Sequence, residues 1–346
     1  MQVYKILNSG GLGVAGKQNE LIELALTHGF NGVEVDMVDL VGRHDTLGKQ
    51  FACQFLQSAK IDMGTFELPV DLGASDDDYN TAMEKLDTIL DLATTLNAKG
   101  CYVSVATSNG LYSFQECFEK YQQRLQELSE KCTESSLNIG LWLRGTDSEV
   151  PDGEFKFIQT AEELLTLVKA VGQPNVGVCV DAFQWAAGGG TVEHLVAAGL
   201  SDVVSEVRLA DIAESADMAA LQDSDRSSLP GDSLDSFSVK LCRALSEAGV
   251  EVPMSISTDL GTFSTGTRDA IVGSITKQID LLVAGEHPAE IKAAEAKAAE
   301  EAPAEEAPAE EAVAEEAPAE EAAAEEAPAE EAAAEEAPAE EEEKKE

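Results

Sequence analysis

Six polar side chains stand where apolar, strand-like runs of this sequence end: Glu34, Glu67, Arg144, Asp181, Arg208 and Ser257. Carboxylates at such positions can ligate a metal ion or move a proton, and arginines can bind carboxylates or phosphates in a two-point contact. A serine needs a partner base to act as a nucleophile. The four histidines fall in helical or loop segments, at His28, His44, His194 and His287. The set therefore favours binding of a cation, an anion or a hydroxylated ligand.

The elements that position these residues alternate regularly along the chain. Eight short β-branched runs, among them QVYKIL, GCYVSVA, VGVCVDAF and PMSISTD, are separated by longer segments of helical period. Repeated βα units of this kind are typical of a parallel sheet, and eight of them predict a (β/α)8 TIM barrel. The site of such a barrel lies where the carboxyl ends of the strands meet, which is where the six side chains stand.

The stretch GLGVAG, residues 11–16, offers a different interpretation. It matches G-x-G-x-x-G after a strand and before a helix, and an acid at Glu34 or Asp36 closes the next strand, which together suggest an NAD(P)-binding oxidoreductase. Against this, Asn8, Ser9 and Gly10 separate the motif from the strand, and eight similar units follow without a second, different half. A flexible glycine loop over a barrel mouth explains the same residues.

Four stretches carry a resemblance to a known family: ALTHGFNGVEV, VGVCVDAFQW, EVRLAD, and SLPGDSLD with LSEAGVEVPMSIS. In series they resemble the xylose isomerase-like TIM barrels, a group of sugar phosphate isomerases and epimerases, over roughly residues 1–285. The resemblance implies a divalent cation held by Glu after strand 5, Asp after strand 6, His or Gln after strand 7 and Glu after strand 8. It also implies two glutamates that shuttle a proton between adjacent sugar carbons.

Matched residue by residue, the family's ligand positions fall on Arg144, Asp181, Arg208 and Ser257, and a substrate-binding histidine falls on Gln184. Only Asp181 keeps the family's residue. Because arginine offers no lone pair and stays charged, two arginines at ligand positions repel a divalent ion. We therefore expect no metal cofactor, and Mn, Mg, Co or Zn only if Asp211 and Asp259 rebuild a cluster with Asp181.

The same positions suggest a different use of the mouth. Asp181 flanked by Arg144 and Arg208 predicts guanidinium groups that take the place of the metal's charge, either as a sealing salt bridge or with one arginine free for a small anionic or polyhydroxy ligand. Phe183 and Trp185 would then offer faces for a sugar ring.

Other candidates are open to two interpretations. Arg226 stands just before the stretch SLPGD. It resembles a family arginine that reaches the substrate from the loop after strand 7, or it is a solvated loop side chain. Glu34 and Glu67 either orient polar ligand groups or bond neighbouring backbone, and Trp142, inside strand 5, is expected in the core.

The last part of the chain has a different composition. From Ala289 onward it contains 23 Glu and 4 Lys, a net charge of −19, which leaves −24 of the total −43 for the residues before it. Such an Ala/Glu/Pro sequence buries too little apolar surface to fold, so we predict a barrel over residues 1–286 and a disordered acidic tail over 287–346. The tail either keeps the protein in solution or contacts a basic partner.

Charge and hydropathy exclude some classes of binding partner and indicate a location in the cell. An acidic chain is a poor ligand for nucleic acid or an anionic membrane, no apolar run is long enough to span a bilayer, and no signal peptide is evident, so a cytoplasmic protein is expected. The six cysteines form no C-x-x-C pair and are expected buried and reduced. The sequence does not fix the oligomeric state.

The sequence therefore predicts a sugar phosphate isomerase/epimerase-like barrel that is degenerate: metal-free, and non-catalytic or repurposed to bind a small ligand. An active sugar isomerase or epimerase with a rebuilt site, and the NAD(P)-binding oxidoreductase, remain the alternatives.

Overall fold

The structure, a computed structural model, describes residues 3–147, 149–227, 229–258 and 266–301. The strands of this part of the chain are β1 Tyr4–Leu7, β2 Gly32–Val33, β3 Asp62–Met63, β4 Thr65–Glu67, β5 Gly100–Ser104, β6 Ser108–Asn109, β7 Ile139–Trp142, β8 Phe155–Lys156, β9 Val176–Asp181, β10 Val204–Leu209 and β11 Pro253–Ile256. Nine of them form one parallel sheet in the order β3-β2-β1-β11-β10-β9-β7-β5-β4, and β6 pairs with β8 in an antiparallel ribbon.

The sheet closes on itself because β3 and β4 are two parts of one barrel strand. Gly64 separates them, and its backbone continues both ladders, since its N–H donates to Val33 O at 2.7 Å and its carbonyl accepts from Lys99 N at 2.9 Å. A Cβ at this position would lie 2.6 Å from Ile6 Cγ2 inside the barrel. The eight predicted strands thus form the predicted (β/α)8 barrel, with a glycine where β3 passes close to Ile6 of β1.

Helices surround the sheet and follow the strands as expected of a TIM barrel. They are α1 Gln18–Thr27, α2 Met37–Leu47, α3 Lys49–Ala59, α4 Asp76–Met83, α5 Leu86–Thr95, α6 Phe114–Glu134, α7 Ala161–Val171, α8 Ala182–Ala187, α9 Val192–Ala198, α10 Leu200–Val203, α11 Phe237–Glu247, α12 Arg268–Val283 and α13 Pro288–Glu301. Helix α6, for example, buries the apolar stripe of Cys117, Tyr121, Leu125 and Leu128. The core lies between these stripes and the outer face of the sheet.

Two helices begin where the sequence did not predict them, and each follows an aspartate within or at the end of a predicted strand. Asp36 Oδ1 accepts from Val38 N at 2.9 Å and starts α2 where we expected strand 2 to continue. Asp181 Oδ1 accepts from Phe183 N at 3.1 Å and starts α8. The valines after Asp36 and the aromatic residues after Asp181 favour a strand by propensity, but in each case the aspartate side chain caps and initiates a helix.

The glycine stretch of residues 11–16 packs into the barrel's first loop. Leu12 and Val14 are buried, and Gly11 O accepts from Thr258 N at 3.1 Å in the loop after β11. The closed barrel is not the open, doubly wound sheet in which a G-x-G-x-x-G motif binds a dinucleotide, so the glycine stretch lies outside the setting that this motif requires.

The barrel extends past the predicted boundary at residue 286. His287 is buried, Ala289 N donates to Gly231 O at 3.0 Å, and Lys292 lies 2.6 Å from Asp232. The chain divides into Met1–Glu301 and Ala302–Glu346, and the second unit, which holds most of the predicted tail, lies outside the described residues.

The six cysteines are free and buried, as predicted. None of the described helices is both long enough and apolar enough to cross a membrane.

Candidate functional site

The carboxyl ends of the strands surround a cavity of about 530 Å³ at the barrel mouth. Its lining includes Glu34, Glu67, Tyr102, Trp142, Arg208, Arg226 and Ser257. A second cavity of about 840 Å³ adjoins it and shares Asn8, Gly10, Glu34, Glu67 and Tyr102 with it. The sequence therefore located the mouth, and four of its candidates at strand ends line the smaller cavity.

Arg208 is held in this mouth by two carboxylates. Glu206 and Arg208 lie two residues apart on β10, so their side chains point to the same face, which is the barrel interior. Arg208 Nε donates to Glu206 Oε1 at 3.0 Å, and Nη2 lies 3.4 Å from Glu34 Oε1. Arg208 and Glu206 are only 5% and 3% exposed, so this is a buried ion cluster.

Two aromatic rings complete the cluster. The guanidinium carbon of Arg208 lies 4.1 Å from the ring centre of Tyr102 and 5.2 Å from that of Trp142. Tyr102 Oη donates to Glu34 Oε1 at 2.8 Å. Burial, and then the charge of Glu34, raise the pKa of Tyr102, so the phenol stays a hydrogen-bond donor at neutral pH. The guanidinium is thus fixed by two acids and two ring faces.

Burial and charge act against each other in this cluster. Burial raises the pKa of Glu206, and the charge of Arg208 opposes that rise. Burial alone lowers the pKa of Arg208, but Glu206 and Glu34 outweigh it and raise that pKa. Arg208 therefore remains a cation in the centre of the barrel mouth.

Asp181 pairs with Arg226, and the expected pairing with Arg144 and Arg208 is wrong. Arg226 Nη1 and Nη2 donate to Asp181 Oδ1 and Oδ2, both at 3.0 Å, and Arg226 also donates to Asp223 Oδ1. Although Arg208 lies opposite Asp181 in the ladder, its side chain is taken by Glu206 and Glu34. The loop after β10 brings Arg226 over the mouth in its place.

Arg226 is therefore neither a solvated loop arginine nor free to reach a ligand. It is 8% exposed, and its guanidinium carbon lies 4.6 Å from the centre of the Phe183 ring. With Asp181 and Asp223 both accepting from it, the guanidinium is neutralised by two carboxylates.

Gln184, at the position of the family's histidine, is locked rather than presented to the cavity. It is 1% exposed, its Nε2 donates to Asp223 Oδ1 at 2.8 Å, and its Oε1 accepts from Thr146 N at 3.0 Å. It ties the loops after β7 and β10 together.

The aromatic residues exchange the roles expected of them. Phe183 and Trp185 are buried, and Trp185 Nε1 donates to Thr191 O at 3.2 Å, so neither ring is available to a sugar. Trp142, expected in the core, lines the cavity instead, with Arg144 stacked 5.2 Å from its ring centre.

Arg144 lies beside the mouth rather than at its centre. Its Nη2 is 3.0 Å from Asp147 Oδ2, and its side chain is 33% exposed. Ser257, another of the predicted site residues, lines the cavity, and its backbone N donates to Leu209 O at 2.9 Å. Neither residue touches Asp181 in the contacts of the described chain.

The two predicted glutamates differ. Glu34 bonds side chains rather than backbone, through Tyr102 and Arg208, and its Oε2 is buried without a partner among the described residues. Glu67 is exposed to solvent, although it also lines the cavity at the barrel mouth. Partial desolvation there raises the pKa of Glu67, and Arg208 and Arg144 oppose the rise.

The residues at the family's metal positions do not fit a divalent cation. Two are arginines, one is a serine, and both oxygens of Asp181 are occupied by Arg226 and by the backbone of α8. Both carboxylate oxygens of Asp211 accept from the segment after the β10 loop, from Gly231 N, Ser236 Oγ and Ser238 N, so Asp211 does not rebuild a cluster with Asp181. Asp259 lies outside the described residues.

Over the described ranges, no group of three or more His, Cys, Asp or Glu side chains is placed to hold a metal ion.

Sequence reasoning missed Glu206, Tyr102 and Asp223. Glu206 had a signal, because an acid two residues before Arg208 on one strand must share its face. Tyr102 was hidden inside an apolar strand, and Asp223 stands in a loop whose path no local pattern predicts.

The xylose isomerase-like TIM barrel family model matches residues 22–280, and the chain belongs to this family. The search of curated proteins found no match. Three solved structures illustrate the likeness of the fold. A xylose isomerase domain protein from Alicyclobacillus acidocaldarius has a TM-score of 0.71 at 20% identity, covering 82% of this chain and 99% of that one.

The IolI protein, solved with a zinc atom, has a TM-score of 0.68 at 18% identity over 82% of this chain and 98% of its own. A D-psicose 3-epimerase solved with D-fructose has a TM-score of 0.59 at 15% identity over 82% and 100%. At these identities the comparisons show the fold, which is the xylose isomerase-like TIM barrel.

Proposed function

We propose that this barrel binds a neutral polyhydroxy ligand of sugar size without a metal ion, with the guanidinium of Arg208 in the place of the cation. The observation that carries the proposal is the buried cluster in which Glu206 and Glu34 hold Arg208 at the strand 7 ligand position. A fixed guanidinium donates hydrogen bonds to ligand oxygens, which a metal ion would otherwise coordinate.

The size and polarity of the mouth support this ligand class. A volume of about 530 Å³ is typical of small-molecule sites. Glu34 and Glu67 supply carboxylate acceptors for hydroxyl groups, and Ser257 supplies a hydroxyl at the opposite strand end. The Trp142 ring adds an apolar surface of the kind that sugar rings contact.

The charges favour a neutral ligand over an anionic one. Arg208 and Arg226 line the cavity, but each is already paired with two carboxylates. An incoming phosphate or carboxylate would have to displace one of these acids, since no unpaired cation lines the described wall. Sugar acids and sugar phosphates are therefore expected to bind more weakly than the corresponding neutral sugars.

The test is a thermal-shift screen of the full chain, treated with chelator, against neutral sugars, cyclic polyols, sugar acids and sugar phosphates, followed by calorimetric titration. We expect a neutral polyhydroxy compound to raise the melting temperature with chelator present. Glu67→Gln should lower the affinity for that compound at least tenfold. Arg243→Gln, at an exposed position on α11, is the matched control and leaves affinity unchanged. Binding that needs added Mn²⁺, or no binding by any compound, contradicts the proposal.

A second candidate is a metal-independent isomerase or epimerase, and Glu67 is the observation that favours it. Its raised pKa and its place beside Arg208 and Arg144 suit a group that removes a proton next to a carbonyl whose oxygen a guanidinium stabilises. Incubation of candidate sugars with the protein in D₂O distinguishes the two functions. Deuterium gained at a carbon beside the carbonyl, and lost in Glu67→Gln, establishes catalysis; ligand binding without exchange supports the binding protein alone.

A further inference from the structure

Three polar side chains inside the barrel each have one atom without a hydrogen-bond partner. These atoms are Thr65 Oγ1, Glu206 Oε2 and Ser255 Oγ, and all three are buried with no partner among the described residues. The residues themselves are 2%, 3% and 1% exposed, and they come from three strands, β4, β10 and β11. Because an unsatisfied buried polar atom costs free energy, native proteins usually satisfy such atoms with an ordered water molecule.

The strand registers direct all three side chains into the barrel interior. Thr65 lies two residues before Glu67, which lines the mouth, and Ser255 is the ladder partner of Arg208. Side chains two residues apart on a strand point to the same face of a sheet, and so do partners in a parallel ladder. Glu206 shares the inner face with Arg208 in the same way.

Thr65 and Glu206 approach each other near the barrel axis. Their strands lie on opposite sides of the barrel, with β5, β7 and β9 between them on one side and β11, β1 and β2 on the other. Burial raises the pKa of Glu206, and the Thr65 side chain is one of the groups that oppose the rise, so the two are near neighbours. They nevertheless make no hydrogen bond of normal geometry.

The residues around Thr65 leave room for a small bound molecule. Its ladder partner on β5 is Gly100, which places no side chain in the interior. A Cβ on Gly100 would lie 3.9 Å from Thr65 Cγ2, which is an ordinary contact rather than an overlap. A water molecule needs little space but several polar neighbours, and both conditions are met here.

We propose that the centre of the barrel holds a structural water molecule bound by Thr65, Glu206 and Ser255. The donors and acceptors match, because the two hydroxyls each donate one hydrogen bond and Glu206 Oε2 accepts one. The total of three agrees with the roughly three bonds that a buried water usually makes. A metal cation is disfavoured in this place, since the other oxygen of Glu206 already accepts from the positively charged Arg208.

The water gives Thr65 and Ser255 a positioning role. By satisfying Oε2 of Glu206, it leaves Oε1 directed at Arg208 Nε, 3.0 Å away. A carboxylate without this water would have to turn toward another donor, and the guanidinium would then lose an acceptor. The water site does not depend on whether the mouth binds a sugar, so it is tested on the protein alone.

Oxygen-17 magnetic relaxation dispersion of the full chain counts the water molecules that stay bound while the protein tumbles. We expect the double variant Thr65→Val, Ser255→Ala to hold one such water fewer than the wild type. Thr65→Ser keeps the hydroxyl and should keep the water. The matched control is Ser238→Ala, because Ser238 is equally buried but its Oγ already donates to Ala210 O at 3.0 Å. A double variant with the wild-type number of long-lived waters contradicts the proposal.

Urea unfolding gives an independent readout. If both hydroxyls bind the same water, the first substitution already releases it. The loss of unfolding free energy in the double variant Thr65→Val, Ser255→Ala should therefore be smaller than the sum of the two single losses. Thr65→Val combined with Ser238→Ala should be additive, since no water joins these two. Additive losses in both pairs would mean that Thr65 and Ser255 share no water.

A crystal structure of the wild type separates a bound water from a direct contact. We expect one density peak within hydrogen-bond distance, about 2.7–3.2 Å, of Thr65 Oγ1, Glu206 Oε2 and Ser255 Oγ. A direct hydrogen bond from Thr65 Oγ1 to Glu206 Oε2, with no water between the three side chains, overturns the proposal.

Discussion

Arg226 and Asp181 form a two-point ion pair at the centre of the barrel mouth, with both nitrogen to oxygen distances at 3.0 Å and with Asp181 only 2% exposed. Asp181, where the sequence resemblance would place a metal ligand, thus accepts hydrogen bonds from a guanidinium instead. Its remaining hydrogen bonds start α8 and hold Gln184 in place.

The first prediction concerns the strength of this pair. Asp181→Asn removes a charge that compensates a buried guanidinium, and such a loss costs about 3–5 kcal/mol of unfolding free energy. Urea unfolding followed by fluorescence measures it. Asp223→Asn is the matched control, because Asp223 is 56% exposed and its ion pair with Arg226 is worth about 1 kcal/mol or less. Equal losses of unfolding free energy in the two variants would show that burial does not determine how much each ion pair contributes to stability.

The second prediction is a pH dependence that Glu206 produces. Burial raises its pKa, so the folded chain keeps this proton to a higher pH than the unfolded chain does. Stability from this group is therefore present at low pH and falls as the pH rises through the raised pKa. Arg208 opposes the effect, and Glu34 and Thr65 are the other groups that face the carboxyl.

Glu206→Gln cannot titrate and still accepts a hydrogen bond from Arg208 Nε. The unfolding free energy of the wild type relative to this variant should decline from pH 4.5 upward, the usual pKa range of an unshifted glutamate. Denaturant titrations at several pH values measure the difference. A constant or rising difference would mean that Glu206 is not a buried, titrating group.

The third prediction tests how closely the loops of the mouth pack. A Cβ on Gly145 would overlap the carbonyl oxygen of Gln184 in α8, so Gly145→Ala must displace the backbone that holds the Asp181 cap. We expect a loss of about 1–3 kcal/mol, as for overpacking elsewhere. Gly42→Ala is the control, because Gly42 lies in α2 with open space around its Cβ, and it should stabilise the chain by roughly 0.5–1 kcal/mol.

The fourth prediction concerns the thiols. Burial raises the pKa of Cys117 and of Cys242 to about 12, and all six thiols are buried. A disulfide reagent at pH 8 should therefore react with none of them at an appreciable rate in the native protein and with six in guanidinium chloride. Rapid reaction of one or more thiols in native buffer would contradict the packing around them.

The barrel was predictable because its signals are local. Alternation of β-branched runs such as VGVCVD with helical periods such as QNELIELALT depends on neighbouring residues alone, and the structure places a strand and a helix there. The helix starts at Asp36 and Asp181 were missed because a side-chain cap outweighed the propensity of the residues after it.

The partners in the site were less predictable than its location. The predicted strand ends placed Arg208 and Asp181 at the barrel mouth. Which acid pairs with each arginine, however, depends on the path of the loop that carries Arg226. No sequence spacing fixes that path. Glu206 was the exception, since the two-residue period of a strand already placed it beside Arg208.

In the proposed function the guanidinium of Arg208 takes the place of a metal ion, and Asp181, bound by Arg226, is closed to a cation. Equilibrium dialysis of the full chain and of Asp181→Asn against Mn²⁺ and Zn²⁺, followed by elemental analysis, tests it most directly. Weak binding to the acidic tail is common to both proteins and cancels in the comparison. We expect equal metal content in the two proteins; one additional metal ion per wild-type chain, lost in Asp181→Asn, would mean that the barrel mouth holds a cation.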